Sequence, residues 1–378
     1  MGIGLYIHIP FCLKKCNYCD FISYPLNTDQ VNIFLAALLK EMELYYHQLN
    51  QENLKLETLY LGGGTPSCLS NNQLAFILEK VKTFFQWTPA IEATIEVNPG
   101  TIGLEKLMLL KDLGVNRLSV GAQSFSFAEL KGMGRLHDVD SILQTVSNAR
   151  QAGFHNLSLD LIYGLPDQSL EQWQYNLQKA FSLEPEHLST YGLKIEENTP
   201  WGDLVDKGQL FVAHQDLARL MFDEVQHQAQ QNGYQHYEIS NFARPGFESK
   251  HNCRYWQSKS YLGLGVAASS YLDGERWTNL NEINSYHKSL AAGNLPIEEK
   301  VKISRQDEIS ETLFLGLRLL KGVSLLKFKD RFGLPVTQIF SKEISRLSNL
   351  GLVSIDDNYL RLTAKGIPIA NEVFQFFV

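Results

Sequence analysis

Three of the chain's five cysteines, Cys12, Cys16 and Cys19, fall within eight positions near the N-terminus. Thiolates are soft ligands that suit zinc or an iron–sulfur cluster. A structural zinc ion needs four ligands, and Cys68 and Cys253 are remote in sequence. A [4Fe–4S] cube bound by three protein thiolates keeps one iron open to a small molecule. The spacing therefore favours such a cluster, with a zinc knuckle or three unrelated buried cysteines as the alternatives.

The overall composition narrows the classes of function. An odd number of cysteines in a chain without an export signal is not typical of a disulfide framework, and the cytosol keeps thiols reduced, as metal ligation requires. A net charge of −7 argues against a broad nucleic-acid surface. No apolar stretch is long enough to span a membrane, and the N-terminus lacks a signal-peptide pattern. We therefore expect a soluble cytoplasmic protein that binds no nucleic acid.

Short apolar runs alternate with amphipathic stretches through the first half of the chain. Six runs are predicted to be strands: 5–9, 58–61, 93–97, 117–120, 157–162 and 188–195. The stretches predicted to be helices are 30–49, 72–85, 104–113, 139–152 and 170–183. Strands that alternate with helices predict an α/β fold in which a parallel sheet curls into a partial (β/α)6 barrel of the TIM type. In such folds the chemistry gathers at the carboxyl ends of the strands.

After about residue 200 the alternation becomes less regular. A composition shift near 294–302 predicts a linker, followed by three helices, a hairpin and a last helix, which is the order of a winged-helix-like α+β domain. That domain lacks an obvious basic face, so protein or ligand packing is expected of it rather than DNA binding. The predicted divisions are a barrel at 1–200, a barrel-completing region at 201–295 and a winged-helix-like domain at 296–378.

Polar and glycine residues follow several of the predicted strands. The turn GGGTP comes after the second strand, and its glycines permit close approach of the backbone to a ligand, although it lacks the spacing of a dinucleotide or P-loop fingerprint. Glu96, Gln123, Arg135 and Asp160 lie at or just after later strands. Each alone is typical of a helix cap or a solvated loop. Together, on one face of a barrel, they indicate a cofactor site.

The Cys-x3-Cys-x2-Cys motif after a first strand resembles the radical S-adenosylmethionine (SAM) superfamily. In that family the open iron chelates SAM through its amino and carboxylate groups, and the reduced cluster donates an electron to the sulfonium and can release a 5′-deoxyadenosyl radical. The resemblance implies that the three cysteines bind the cluster. The SAM site that it implies consists of Tyr6, Tyr18, Gly63, Gly64, Thr65, Glu96, Gln123, Arg135 and Asp160.

The resemblance also implies roles for some of these residues. Tyr18 would pack near the adenine of SAM. The carboxylates would bind the ribose hydroxyls, and Arg135 would neutralise the methionine carboxylate. Cys68 and Cys253 are assigned no cluster role.

A closer resemblance extends over residues 4 to about 280. The stretches YIHIPFC, GGGTP, IEVNPG, GAQSF and DLIYGLPDQS together resemble oxygen-independent coproporphyrinogen III oxidases and their near relatives. Those oxidases carry a fourth cysteine where Phe21 stands here, and an extra N-terminal segment that this chain does not show. Both departures are features of a sister branch, the heme chaperones of the HemW type, in which the radical SAM scaffold holds heme as cargo.

The stretch KHNCRYWQ is similar to the His-Asn-x-x-Tyr-Trp signature of that branch. The resemblance implies heme binding by His251, which we expect to be exposed, with Tyr255 and Trp256 as flat apolar faces and Arg254 as a partner for a propionate. Cys253 is an alternative iron ligand, or a small buried apolar residue. The structural alternative is a surface turn anchored by a buried tryptophan, with His251 capping a nearby segment.

The leading hypothesis is therefore a heme chaperone that binds a [4Fe–4S] cluster, SAM and heme b and delivers heme to a respiratory or other heme protein. The second hypothesis is an enzyme, an oxygen-independent oxidase that decarboxylates the propionates of coproporphyrinogen III to give protoporphyrinogen IX. A different radical SAM reaction ranks third, because it leaves the heme-like signature unexplained. Whether SAM is cleaved, which protein receives heme and the oligomeric state, a homodimer included, stay open at this point.

Overall fold

The computed structural model describes residues 2–50 and 54–378. Its first half alternates strands with helices, and strands such as β1 are buried on both faces because apolar residues occupy most of their positions. In chain order the elements are β1 (Ile3–Ile9), β2 (Phe11–Cys12), β3 (Tyr24–Pro25), α1 (Thr28–Gln48), β4 (Lys55–Gly63), α2 (Asn71–Phe84), β5 (Gln86–Val97), α3 (Leu104–Asp112), β6 (Arg117–Gln123), α4 (Phe127–Gly132), α5 (Val139–Gln151), β7 (Leu157–Tyr163), α6 (Leu170–Ser182) and β8 (His187–Gly192).

The next part of the chain extends the same sheet at both edges. Its elements are α7 (Pro200–Asp206), α8 (Gln215–Gln231), β9 (Gln235–Glu238), β10 (Asn241–Ala243), α9 (Lys250–Trp256), β11 (Tyr261–Leu264), β12 (Ser269–Leu272), β13 (Glu275–Asn279), α10 (Ile283–Ala291) and β14 (Ile297–Lys302). Among the described residues, twelve strands join in the order β14-β13-β12-β11-β1-β4-β5-β6-β7-β8-β10-β9. The run from β11 to β8 is parallel, and the strands beyond it on either side pair antiparallel.

The C-terminal part has its own hydrophobic core, separate from the core of the large sheet. Its elements are α11 (Arg305–Gly316), β15 (Val323–Ser324), α12 (Leu325–Phe332), α13 (Val336–Ile339), α14 (Ser341–Asn349), β16 (Val353–Ile355), β17 (Tyr359–Leu362) and α15 (Ala370–Phe374). The three strands form a small antiparallel sheet in the order β15-β17-β16. This is the winged-helix-like arrangement that the sequence predicts.

The predicted fold class is confirmed: the sheet is a partial, open barrel with a smaller C-terminal α+β unit. Several details differ from the prediction. The sixth strand ends at Gly192 rather than at residue 195, because the polar run that follows leaves the sheet and Thr199 then caps α7. A one-turn helix, α13, adds a fourth helix before the hairpin. The three predicted domain ranges stay a prediction, although β14 pairs with β13 in the large sheet.

Helix caps fix where the loops at the carboxyl ends of the strands stop. Ser70 and Ser169 each form a capping box at the start of α2 and α6, and Asp138 accepts from the Ser141 backbone N–H at the start of α5. The β4–α2 loop therefore has a defined end and presents GGGTP over the sheet. Within residues 2–50 and 54–378, none of the helices combines the length and the apolar composition needed to cross a membrane.

Candidate functional site

Cys12 ends β2, whereas Cys16 and Cys19 lie on the loop that connects β2 with β3, and all three are half-buried. The Thr65 hydroxyl donates to Sγ of Cys12 at 3.4 Å, and the Arg135 guanidinium donates to Sγ of Cys16 at 3.4 Å. The backbone N–H of Cys19 donates to the carbonyl of Cys16 at 3.3 Å. Donors from two other loops therefore already face the sulfur atoms.

A [4Fe–4S] cluster and a single metal ion require different arrangements of their ligands. Among the described residues, no three Cys, His, Asp or Glu side chains converge on one metal position, whereas each cysteine of a [4Fe–4S] cube binds a different iron. Burial raises the pKa of Cys12, and it raises that of Cys19 to about 11. The thiols of Cys12 and Cys19 are thus protonated without metal, and binding of iron would release their protons.

The same cysteines line a cavity of about 500 Å³, here called the cysteine cavity, which is in the size range of small-molecule sites. It opens at the carboxyl ends of the parallel strands. The structure places eight of the nine predicted SAM residues around it: Tyr18, Gly63, Gly64, Thr65, Glu96, Gln123, Arg135 and Asp160. These residues, which are scattered along the sequence, thus lie around one cavity in the folded chain.

The GGGTP turn lies directly against the first strand and the cysteine loop. The Gly64 N–H donates to the carbonyl of Ile9 at 2.9 Å, and the Thr65 N–H donates to that of Phe11 at 2.7 Å. A Cβ atom on Gly64 would meet the Phe11 carbonyl oxygen at 2.7 Å, and Gly63 has a φ of 107° with the His8 ring against it. Glycine is therefore required at both positions, because a side chain would collide with the neighbouring backbone or with the His8 ring.

Arg135 connects the cysteine loop with two strand ends. Besides Cys16, its guanidinium donates to Oδ1 of Asn98 at 2.6 Å and to the carbonyl of Gly121 at 2.9 Å. Asn98 in turn donates to the Thr65 hydroxyl at 2.8 Å. A fixed guanidinium with neighbouring donors beside the cysteines is suited to bind a ligand carboxylate.

Two half-buried carboxyl groups lie deeper in the cavity. Glu96 accepts from the Tyr60 hydroxyl at 2.9 Å and from the Gly63 N–H at 3.0 Å, yet burial raises its pKa to about 7, with the nearby Asp160 as a lesser cause. Asp160 accepts from Ser119 at 2.8 Å, and burial raises its pKa as well. Both groups have acceptor capacity for ribose hydroxyls, most fully when ionised.

Tyr6 is the predicted SAM residue that the structure does not bring to the cysteine cavity. It lines a second cavity of about 660 Å³, here called the aromatic cavity, between the β11–β13 side of the sheet and α11. Its lining consists of Tyr6, His8, Asp20, Phe21, Ile22, Tyr255, Trp256, Ser258, Lys259, Tyr261, Ala267, Ser269, Tyr271, Arg276, Glu311, Phe314 and Leu315. Rings dominate this lining, and Asp20 and Phe21 belong to both cavities.

The His-Asn-x-x-Tyr-Trp stretch forms α9, not a surface turn, and α9 separates the two cavities. Asn252 faces the cysteine cavity, whereas Tyr255 and Trp256 line the aromatic cavity. The ring of Tyr255 packs edge-on against that of Tyr261, with centroids 4.6 Å apart. The signature therefore contributes to both cavities through different faces of one helix.

The expectation that His251 is exposed is wrong. Its side chain is 1% exposed, and neither cavity is lined by it. Nδ1 bonds the Thr58 hydroxyl at 2.8 Å and Nε2 bonds the Tyr255 hydroxyl at 2.8 Å. Burial, with the charges of Arg254 and Arg117, lowers the pKa of His251 to about 3, so the imidazole is neutral with both nitrogens engaged. The helical period of α9 turns His251 inward while Trp256 turns outward.

Arg254 and Cys253, the other two residues considered for heme, are also engaged or hidden. Arg254 is buried, pairs with Glu57 at 2.5 Å and donates to the carbonyls of Gly2 and Ser260. Burial raises the pKa of Cys253 to about 12, and neither cavity includes it. In this arrangement neither side chain faces one of the two cavities.

Sequence reasoning missed several residues of the two cavities. Asn98 could have been found, because it lies two positions after Glu96 in the quoted IEVNPG stretch. Arg117 and Tyr60 belong to strands whose largely apolar pattern does not indicate which residues face the cavity. Arg276 and Glu311 of the aromatic cavity come from elements far apart in sequence, joined by a bidentate ion pair at 2.7 Å.

Comparison with known proteins gives two family matches. Residues 6–180 match the Radical SAM superfamily, and residues 303–369 match the HemN C-terminal domain. The heme chaperone HemW of Bacillus subtilis is 36% identical over 99% of this chain and 98% of its own length. HemW of Escherichia coli is 30% identical over 100% of this chain and 98% of its own.

Among solved structures, the coproporphyrinogen III oxidase HemN of Escherichia coli, described as a radical SAM enzyme, superposes with a TM-score of 0.87. The match covers 99% of this chain and 89% of that chain at 25% sequence identity. Superfamily membership implies SAM and a [4Fe–4S] cluster, and the three clustered cysteines line the cysteine cavity. The chain belongs to the radical SAM family whose members are named heme chaperone HemW.

Proposed function

We propose that this protein is a heme chaperone that holds heme in the aromatic cavity and delivers it to a recipient heme protein. The observation that carries the proposal is the position of Tyr255 and Trp256: both residues of the His-Asn-x-x-Tyr-Trp stretch line a large cavity rich in rings. The full-length similarity to proteins named heme chaperone HemW supports the same reading. A cytoplasmic location is consistent with this function and is part of the proposal.

The chemistry of the aromatic cavity suits a flat tetrapyrrole with acidic arms. Tyrosine and tryptophan rings offer large apolar contact area, and Lys259 supplies a cation for a propionate. Nε1 of Trp256 and Oγ of Ser258 are buried without a hydrogen-bond partner among the described residues. Because buried donors are normally satisfied, these two are suited to meet acceptors of a ligand.

We propose that Cys12, Cys16 and Cys19 hold the cluster in the neighbouring cysteine cavity, with SAM on the open iron. When bound, the reduced cluster supplies an electron to the sulfonium of SAM. The residues of the chain orient the cofactor: Arg135 and Asn98 are placed for its carboxylate, and Glu96 for its ribose. Since Asp20 and Phe21 line both cavities, a ligand in one cavity would contact residues that also form the wall of the other.

The role of His251 as heme ligand stays a prediction, and it requires the imidazole to leave Thr58 or Tyr255. In the arrangement described here His251 acts as a positioning residue, because its bond to the Tyr255 hydroxyl holds that ring in the cavity wall. Substitution His251→Ala is expected to weaken heme binding in either case. The spectrum separates them: loss of an axial imidazole shifts the Soret band, whereas loss of positioning lowers affinity and leaves the band unchanged.

An oxygen-independent coproporphyrinogen III oxidase is the second candidate, because the Escherichia coli enzyme shares the fold at a TM-score of 0.87. The resemblance places Phe21 where those oxidases carry a fourth cysteine. Phe21 is 62% exposed at the entrance common to both cavities. Anaerobic incubation of the reduced, cluster-loaded protein with SAM and coproporphyrinogen III is expected to give no protoporphyrinogen, and its formation would replace the chaperone proposal.

Delivery is tested by transfer to a protein that reports its own heme content. Heme-loaded protein is mixed with apomyoglobin, and the visible spectrum is followed with and without cluster and SAM. Transfer faster than the arrival of heme from free solution supports a chaperone. Transfer at the rate of spontaneous dissociation would limit the protein to heme storage.

A further inference from the structure

His8 is the imidazole in the lining of the aromatic cavity. It lies on β1, two positions after Tyr6 and on the same face of the strand. The side chains that proteins use as axial ligands of heme iron are His, Cys, Met and Tyr. Among the described residues of this lining, the other members of that set are four tyrosines: Tyr6, Tyr255, Tyr261 and Tyr271. Burial raises the pKa of each of these phenols, so all four are protonated near neutral pH.

The hydrogen bonds of the His8 ring determine which nitrogen carries the proton. Nε2 lies 2.8 Å from the backbone carbonyl of Ile22, and a carbonyl oxygen only accepts, so Nε2 is the protonated nitrogen. Nδ1 therefore keeps its lone pair and accepts from the Tyr6 hydroxyl at 3.0 Å. Burial lowers the pKa of His8, so the ring is neutral. A neutral imidazole is the form that binds a metal ion.

The bond from Nε2 to Ile22 matches the surroundings of histidines that bind metals. Such histidines donate their other N–H to a carboxylate, a backbone carbonyl or water, which fixes the orientation of the ring. The His8 ring also packs against Gly63, where a Cβ atom would meet it at 2.5 Å. His251 instead bonds two side-chain hydroxyls and lines neither cavity. Of the two histidines, His8 is the one arranged to bind iron in the aromatic cavity.

We propose that Nδ1 of His8 is an axial ligand of the heme iron. The proposal rests on the proposed function, which puts heme in the aromatic cavity. On binding, the Tyr6 hydroxyl leaves Nδ1 and the iron takes its lone pair, while Nε2 keeps its bond to Ile22. No proton or electron is exchanged in this step. With His8 as the ligand, His251 acts on heme only through the Tyr255 ring that it holds.

The first test is a heme titration of the full chain, followed by the Soret band and the electron paramagnetic resonance spectrum of the ferric complex. His8→Ala should shift the Soret band and lower heme affinity at least roughly tenfold, because loss of a direct ligand exceeds loss of an outer-shell contact. His251→Ala should keep the wild-type spectrum. His236→Ala is the matched control, because Nε2 of His236 also bonds a backbone carbonyl, that of Ile239 at 3.1 Å, outside both cavities.

Added imidazole tests whether the effect of His8→Ala is loss of a ligand. Imidazole should restore the wild-type band of the His8→Ala complex at a concentration that leaves the His236→Ala complex unchanged. Where His8→Ala does not fold, the ferric His251→Ala complex gives the answer. Its spectrum is expected to retain the signature of an axial imidazole, and loss of that signature would overturn the proposal.

Tyr6→Phe distinguishes His8 from the neighbouring phenol as the ligand. Phenylalanine keeps the ring but lacks the hydroxyl that occupies Nδ1. Heme should therefore bind about fivefold more tightly with an unchanged Soret band, because one hydrogen bond no longer has to be broken. Weaker binding with a shifted band would identify Tyr6 as the ligand and overturn the proposal.

Trp256→Ala separates failure of this proposal from failure of the proposed function. A lower heme affinity in Trp256→Ala with an unchanged spectrum in His8→Ala would overturn the ligand and keep heme in the aromatic cavity. Unchanged affinity and spectrum in both variants would show that heme binds elsewhere, and would overturn the ligand together with the proposed function.

Discussion

The two cavities of this protein are neighbours built by different means. The cysteine cavity lies at the carboxyl ends of the parallel strands, and its lining combines thiols, carboxylates and guanidinium groups. The aromatic cavity lies between the antiparallel extension of the sheet and α11, and its lining is dominated by rings. A polar, charged cavity is suited to a charged cofactor, and a ring-lined one to a flat apolar ligand. We therefore propose the cysteine cavity for the cofactors and the aromatic cavity for heme.

The wall between the cavities consists largely of rings in contact. Tyr60 lines the cysteine cavity and Tyr6 the aromatic cavity, with centroids 6.2 Å apart. His251 packs against Tyr60 on one side and Tyr255 on the other, at 5.2 and 5.1 Å. A change in one cavity therefore has a short route of packed side chains to the other.

The largest expected effect is loss of the cluster, which tests whether the two cavities bind their ligands independently. Any of the substitutions Cys12→Ala, Cys16→Ala and Cys19→Ala should abolish the [4Fe–4S] cluster, because each removes one of three protein ligands. Iron content and visible absorption after anaerobic reconstitution measure this, with Cys68→Ala as the control that keeps the cluster. Heme affinity should change much less, and loss of heme binding in step with iron would show that the cavities are not separate.

The next effect concerns the aromatic cavity. Trp256→Ala should weaken heme binding roughly tenfold, or about 1.4 kcal/mol, because a large aromatic contact is lost. SAM affinity should not change. Trp87, a half-buried tryptophan outside both cavities, supplies the control variant Trp87→Ala. A heme titration monitored at the Soret band measures the affinity of each variant. Equal heme affinities for Trp256→Ala and Trp87→Ala would show that heme binds outside the aromatic cavity.

A smaller effect is the pH dependence of SAM binding. The pKa of Glu96 is about 7, so its carboxyl is increasingly ionised, and a better acceptor, as the pH rises through 7. SAM affinity should increase over this range by at most about tenfold per pH unit. Glu96→Gln should flatten the profile. Glu41→Gln should not, since Glu41 is a buried carboxyl with a pKa of about 7 bonded to Tyr286 and Asn279 and outside the cavities.

The contribution of Glu96 to protein stability has the opposite pH dependence. The pKa of Glu96 is raised above its ordinary value of 4.5, so the stability that the protonated carboxyl contributes is present below pH 4.5 and is lost as the pH rises through about 7. The same holds for Glu41. Only SAM binding distinguishes the two carboxyl groups, and a steep pH profile in Glu96→Gln would reject the ribose assignment.

The smallest expected effect concerns Phe21, which lines both cavities. Phe21→Ala should weaken both heme and SAM by only about threefold, because a largely exposed ring contributes roughly 0.5–1 kcal/mol to each contact. Equilibrium dialysis of both ligands with wild type and variant measures it. An effect on one ligand alone would assign Phe21 to a single cavity.

The cysteine cavity could be predicted from the sequence because its residues follow strand ends, and parallel strands bring their carboxyl ends together. The aromatic cavity could not, because α11 and the β11–β13 strands meet only through the packing of the C-terminal unit. His251 shows the same limit: a signature identifies the residue, but the helical phase of α9 decides that it points inward. The place of Tyr6 in the SAM site stays a prediction, and the structure puts its side chain, like that of His8 on the same strand, in the wall of the aromatic cavity.

The central claim is that SAM and heme occupy separate cavities. The most direct measurement is to load the reconstituted protein with radiolabelled SAM, titrate with heme, and determine both bound ligands after rapid desalting. Separate cavities predict that heme saturates at one per chain while bound SAM stays constant. Release of SAM in proportion to the heme bound would contradict the claim and place both ligands in the cysteine cavity.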